Sequence, residues 1–105
     1  MMFTIIFPVL NERLRLESGV TRTVEYLRKI AFEDYEIIIV DNGSEDETPQ
    51  IAEMLCQKYE TVRYERINVR GVGAAFRRGV ELSHGDVVGY MDIDLSTNIK
   101  HLGEA

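Results

Sequence analysis

Two aspartates one residue apart, Asp92 and Asp94, end the apolar run GDVVGYMD (85–92) and open a polar turn. In extended backbone, residues i and i+2 project to the same side. Two carboxylates held there repel unless a cation or a proton lies between them. Hard oxygen donors suit Mg²⁺ or Mn²⁺, which complete their shells with water and substrate phosphates. On spacing alone three readings stand: a metal pair, an aspartyl nucleophile, and ordinary strand-end acids in solvent.

Asp41 poses a similar question, because it follows the apolar run EIIIV (36–40). It is either an acceptor for a nucleobase N–H or an Asx residue that forms a turn ahead of Asn42-Gly43. Asp46 and Glu47 precede a helix, where acids favour the positive end of the dipole, and Glu45 reads as solvated. RGVGAAFRRG (70–79) is not the dinucleotide fingerprint, because its third glycine, Gly79, comes too late. Gly73, Ala74 and Ala75 either let a helix pack close to a sheet or admit a diphosphate at its N-terminus. Arg70 can pair with phosphate oxygens, whereas Arg77 and Arg78 read as solvated surface.

The elements that must position these groups alternate. MFTIIFPV (2–9) reads as a strand, and Val20, Val24, Leu27 and Ala31 recur at helical spacing after the turn NERLRLES. YEIIIVD (35–41) is a strand covered on both faces. Thr48 caps a second helix with Pro49 at its first position, and Ile51, Leu55 and Tyr59 line one face. TVRYERI (61–67) is a more exposed strand, RGVGAAFRRGVELS (70–83) a helix with Phe76 and Val80 facing inward, and GDVVGYMD a buried fourth strand. The order β-α-β-α-β-α-β predicts a three-layer α/β/α unit with a parallel sheet and right-handed crossovers, spanning 1–105. Ligands bind such sheets at the carboxyl ends of the strands. Three of those ends carry polar or acidic groups: Pro8–Glu12, Asp41–Ser44 and Asp92–Asp94.

Composition narrows the classes. A net charge of −6 over 105 residues argues against a nucleic-acid partner. No apolar run approaches the roughly 20 residues that span a bilayer. The N-terminus lacks a basic segment before its short apolar run, so no secretory signal is read and a cytoplasmic address is expected. One cysteine, Cys56, excludes an internal disulfide and reads as a helical packing position. His84 and His101 have no partners at zinc-ligand spacing.

Pro8-Val9-Leu10-Asn11-Glu12, Val40-Asp41-Asn42-Gly43-Ser44-Glu45-Asp46-Glu47-Thr48, Arg70-Gly71-Val72-Gly73-Ala74-Ala75, His84-Gly85-Asp86 and Asp92-Ile93-Asp94-Leu95 together resemble the family 2 glycosyltransferases of the GT-A fold. The block from Arg70 to Ser96 is most similar to the branch that makes polyprenyl-phosphate and dolichyl-phosphate sugars. The resemblance covers essentially the whole chain and implies the nucleotide-diphospho-sugar-binding N-terminal part of a Rossmann-like, truncated GT-A domain.

It implies a nucleotide-sugar site at Pro8, Leu10, Asn11, Glu12, Asp41, Asn42, Arg70, Gly71, Asp92 and Ile93. Pro8, Leu10 and Glu12 would line the nucleoside pocket, Asp41 would accept from the base, and Asp92 with Asp94 would hold Mg²⁺ or Mn²⁺. The implied partners are a nucleotide-diphosphate sugar and a polyprenyl phosphate acceptor, at the cytoplasmic face of a membrane. Family members often carry a second aspartate at the position of Asn42, an aromatic at that of Leu10, and glutamine or histidine at that of Ser96. They also continue well past the paired aspartates. A donor-binding half that turns over poorly is therefore expected, with an open fourth strand able to pair with another copy.

An anionic phosphate acceptor needs positioning and charge balance rather than a general base. Catalytic residues are not identified by the sequence. Two rival readings remain: a haloacid-dehalogenase-like phosphatase with Asp92 as nucleophile, and a non-catalytic αβ module that binds a nucleotide or a partner.

Overall fold

The computed structural model describes residues 2–68, 71–91 and 93. The elements alternate as expected: β1 (Phe3–Val9), α1 (Leu16–Lys29), β2 (Tyr35–Asp41), α2 (Thr48–Lys58), β3 (Val62–Arg66), α3 (Val72–Leu82) and β4 (Val87–Tyr90). All pairings are parallel, in the order β3-β2-β1-β4. The chain steps outward from β1 through β2 to β3, then returns past both to the far side of β1. Crossovers of one hand running in opposite directions place their helices on opposite faces. The strand pattern matches: Ile5, Phe7, Val9, Ile37 and Ile39 pack with α1 and α2, while Ile6, Ile38 and Val40 pack with Ala75 of α3. The switch of direction lies between β1 and β4, where such sheets open a crevice at the carboxyl edge.

Several expectations need correcting. The fourth strand is not buried: Val87 is 39% and Tyr90 45% exposed, because among the described residues β4 pairs with β1 alone. Phe76 and Val80 face outward, 39% and 41% exposed. Ala75 and Gly79 form the inner face of α3, which lies so close to the sheet that a Cβ on Gly79 would sit 2.6 Å from Ile6 Cδ1. Ala31 does not extend the face of Val20, Val24 and Leu27. It takes φ 59° just past α1 and is exposed, while the Phe32 N–H closes the helix end on Leu27 O at 2.8 Å. Thr48 lies inside α2 and caps nothing; Asp46 Oδ1 accepts from its N–H at 2.9 Å. Arg78 is not merely solvated, since it pairs with Glu65 of β3 at 2.6 Å.

At the amino-terminal edge a buried carboxylate, Glu36, joins three strands and the α3–β4 connection. It accepts from Thr4 Oγ1 at 2.7 Å, Arg63 Nη1 at 3.0 Å and the His84 N–H at 2.5 Å, and meets His84 Nδ1 at 3.3 Å. Arg63 also donates to Leu82 O at 2.9 Å. Gly85 lies against Thr4, where a Cβ would come within 2.8 Å of the backbone nitrogen. Asp86 closes the connection, accepting from the Met2 N–H and donating its own N–H to Met2 O. The motif His84-Gly85-Asp86 is thus spent on docking β4.

Burial by itself would raise the Glu36 pKa. The bonds from the His84 N–H, Thr4, Arg63 and the His84 ring outweigh it, so the carboxyl lies below the ordinary glutamate value. The stabilisation is complete above the unfolded-state value of about 4.3 and is lost as pH falls through the lower folded-state value. Thermal unfolding followed by circular dichroism should therefore show the wild-type melting temperature falling below about pH 4 more steeply than that of Glu36→Gln. Parallel pH profiles would contradict the assignment.

Candidate functional site

The carboxyl edge is organised by Asp41, whose side chain has no exposed surface. Its Oδ1 accepts the N–H groups of Gly43 at 3.1 Å and Ser44 at 2.8 Å, an Asx turn. Gly43 completes the turn at φ 92°, in the region that favours glycine. Oδ2 accepts from the Tyr64 hydroxyl at 2.7 Å and faces Arg66 Nη1 at 3.8 Å. Burial, then the Asp41 hydrogen bond and charge, push the Tyr64 hydroxyl well above its ordinary pKa, so it remains a donor. Ile67 N–H binds Asp41 O at 2.8 Å, tying in the end of β3.

This turn presents the groups that hold the β1–α1 loop. Ser44 Oγ accepts from the Asn11 N–H at 2.8 Å, and Asn11 Oδ1 accepts from the Glu45 N–H at 2.8 Å. Thr48 Oγ1 accepts from the Glu12 N–H at 2.9 Å, and Asp46 Oδ2 from the Arg13 N–H at 3.3 Å. Asn42 donates its N–H to Val9 O at 2.9 Å. Asn11 adopts φ 52°, a left-handed conformation that asparagine tolerates and that these bonds lock. Glu12 leads into α1: its carbonyl accepts from Leu16 N–H at 2.8 Å, and its carboxylate binds Arg15 at 2.8 Å.

Asn11, Glu12, Arg13, Leu14, Arg15 and Asp46 line a shallow hollow of ≈ 280 Å³ at this edge. Leu10 stands beside it, 38% exposed. Pro8 is half-buried within β1, opposite Val40. Gly71 starts α3 with φ 124°. After β4 the chain stays beside β1: Met91 N–H binds Ile6 O at 3.0 Å, and Ile93 is buried in the core shared with Val9 and Leu16. Arg70, Asp92 and Asp94 lie outside the described residues. Among the described residues no cluster of three or more His, Cys, Asp or Glu side chains could hold a metal. A larger hollow of ≈ 670 Å³, with Arg28, Phe32, Lys58 and Tyr59 in its lining, lies beyond the helix C-termini and gathers none of the candidate residues.

The structure therefore brings Asn11, Glu12, Asp41 and Asn42 into one bonded unit. It adds Asp46, Thr48, Tyr64 and Arg66, to which the sequence had assigned no part in the site, and gives Ser44, already counted at that strand end, its partner in Asn11. The Asp41-to-Ser44 spacing signals the turn. Nothing in the local sequence signals Tyr64, which reaches Asp41 from a neighbouring strand.

A parallel sheet with this switch point and bonded loops at its carboxyl edge defines the α/β class that takes ligands across that edge. The chain belongs to glycosyl transferase family 2, whose family model matches residues 4–105. It is 36% identical to glycosyltransferase AglD of Haloferax volcanii over 103 residues, covering 96% of this chain and 16% of that protein. It is 37% identical to the dolichyl-phosphate beta-glucosyltransferase of Mus musculus over 101 residues, covering 90% of this chain and 31% of that protein. Among solved structures it resembles glucosyl-3-phosphoglycerate synthase from Mycobacterium tuberculosis in complex with Mn²⁺, uridine diphosphate and glucosyl-3-phosphoglycerate. That match has a TM-score of 0.64 and 25% identity, covering 87% of this chain and 33% of the other. Family membership sets aside the phosphatase reading of the chain.

Tyr64→Phe withdraws a donor from a carboxylate that has no solvent to replace it. It should lower stability by about 1–3 kcal/mol in urea denaturation. A change within error would show that Arg66 or water compensates and that the Tyr64 bond is dispensable.

Proposed function

We propose that this chain forms the donor-nucleotide half of a transferase that moves sugar from a nucleotide-diphosphate sugar to a polyprenyl phosphate. The observation that carries the reading is the bonding of the β1–α1 loop to the β2–α2 turn at the carboxyl edge of a family 2 sheet. The mouse relative is named for a dolichyl-phosphate acceptor, and the mycobacterial synthase was solved with uridine diphosphate and Mn²⁺. Both support the substrate classes.

Pro8, Leu10, Asn11 and Glu12 would form one wall of the nucleoside pocket and Asn42 its floor. Asp41, whose carboxylate has no exposed surface, would serve the pocket through the Asn42–Ser44 turn it holds, not by touching the base as the resemblance had implied. Arg70 and the N-terminus of α3 at Gly71 would face the diphosphate. Asp92 and Asp94 would hold Mg²⁺ or Mn²⁺, which would supply charge neutralisation for a departing diphosphate, and Ile93 between them in sequence is buried in the core. No described helix is long and apolar enough to cross a membrane. The proposed place of work is the cytoplasmic face, where a lipid-phosphate headgroup can be reached from water.

Titration calorimetry should show UDP or GDP binding that depends on Mn²⁺ or Mg²⁺. Asp92→Asn or Asp94→Asn should weaken it by about tenfold or more. No binding at millimolar ligand would instead favour a non-catalytic module.

We also propose that a second copy pairs along the β4 edge, which is unpaired among the described residues. Phe76 and Tyr90, in edge-to-face contact at 6.1 Å, and Val80 present an exposed apolar strip beside it. Sedimentation should show a concentration-dependent dimer that Tyr90→Lys abolishes; a monomer at all concentrations would exclude it.

A further inference from the structure

We infer that Tyr64 is a positioning residue for the nucleoside pocket: it fixes the Asp41 carboxylate, and through it the loop that forms the pocket's wall. This rests on the donor-site reading above. Tyr64 lies on β3, a strand with no candidate ligand residue, and acts through Asp41.

The ring is anchored first. Tyr64 stands opposite Ile39 in the β2–β3 register and packs on the core beneath α1 and α2. Its hydroxyl is therefore held at a set height, 2.7 Å from Asp41 Oδ2. Hydrogen-bond donors prefer the plane of the group that accepts them, so the bond at one carboxylate oxygen aims the other. Oδ1 is thereby turned to the N–H groups of Gly43 at 3.1 Å and Ser44 at 2.8 Å. Arg66 is a weaker hold. Its Nη1 lies 3.8 Å from Oδ2, on a side chain 45% exposed, where solvent screens it.

The turn passes the constraint to the loop. Ser44 and Thr48 are buried, so water does not readily replace their bonds to the Asn11 and Glu12 N–H groups. Asn11 sits at φ 52°, a conformation that costs energy even for asparagine and lasts only while its partners hold it. Released from Ser44 Oγ and the Glu45 N–H, it would return to negative φ and carry Glu12 away from the hollow that both line. The loop thus has a bonded state and a relaxed one, and Tyr64 biases the choice towards the first.

The test uses the intact chain, with magnetic resonance titration for ligands and amide hydrogen exchange for the loop. The probes are uridine and guanosine, which carry no phosphate and need no metal. Tyr64→Phe keeps the ring and removes only the donor. It should weaken nucleoside binding by about fivefold, as the bonded fraction of the loop falls. Exchange of the Asn11 amide, which donates to Ser44 Oγ, should rise by about tenfold, while that of Met91, which donates to Ile6 O, stays unchanged. Arg66→Gln should change nucleoside affinity and Asn11 exchange by less than about twofold. Thr4→Val withdraws a buried bond from Glu36 at the opposite edge and should leave both as in wild type.

Unchanged nucleoside affinity in Tyr64→Phe would overturn the inference, and so would a loss of affinity without faster Asn11 exchange. An equal loss in Thr4→Val, which general weakening of the fold produces, or in Arg66→Gln, would also overturn it. If wild type binds neither nucleoside at millimolar concentration, the donor-site reading falls, and Asn11 exchange alone decides whether Tyr64 holds the loop.

Discussion

A carboxylate sealed from water at the end of β2 is the constraint on which the carboxyl edge depends. Burying a charge costs several kcal/mol unless donors surround it. Asp41 meets that requirement with two backbone N–H groups, a phenol hydroxyl and a guanidinium. The two backbone donors force the chain to turn immediately after the strand. The turn in turn presents Ser44, Asp46 and Thr48 at the height of the β1–α1 loop. The loop has little freedom left, because its own N–H groups at Asn11, Glu12 and Arg13 are the donors that these oxygens accept. Preorganisation of this kind lowers the entropy lost when a ligand is bound.

The two edges of the sheet carry different tasks through similar chemistry. Asp41 at the carboxyl edge shapes loops that a ligand can reach. Glu36 at the amino edge, also buried and also ringed by donors, fastens the return of the chain from α3 into β4. Between them lie two apolar faces. The α3 face is built for close approach, with Ala75 and Gly79 against the sheet. Larger side chains there would displace the helix and, with it, the connection that Glu36 holds.

The architecture was legible because it follows from patterns that neighbours in sequence set for themselves. β2 was read with its observed bounds, since YEIIIVD has no polar residue between Glu36 and Asp41. The alternation and the parallel sheet followed from periodicity and handedness, whereas the strand order β3-β2-β1-β4 was not read from the sequence. The exposure of β4 was misread because GDVVGYMD is apolar whether or not anything covers it. Phe76 and Val80 were misassigned for a related reason. Their spacing marks a face of α3, but the contact distance to Ile6 decides which face turns inward, and bulky residues lose that place to small ones.

The sequence by itself determined the strand–helix order, the parallel sheet, and the gathering of Asn11, Glu12, Asp41 and Asn42 at one edge. Those depend on local periodicity and on the chirality of the chain. Only the tertiary structure decided the partners of the buried acids. Tyr64 reaches Asp41 across 23 positions, and His84 reaches Glu36 across 48. Such pairs carry no local signature. A buried charge accepts whichever donors the packing brings within hydrogen-bond distance, and that is fixed only when the whole sheet has closed.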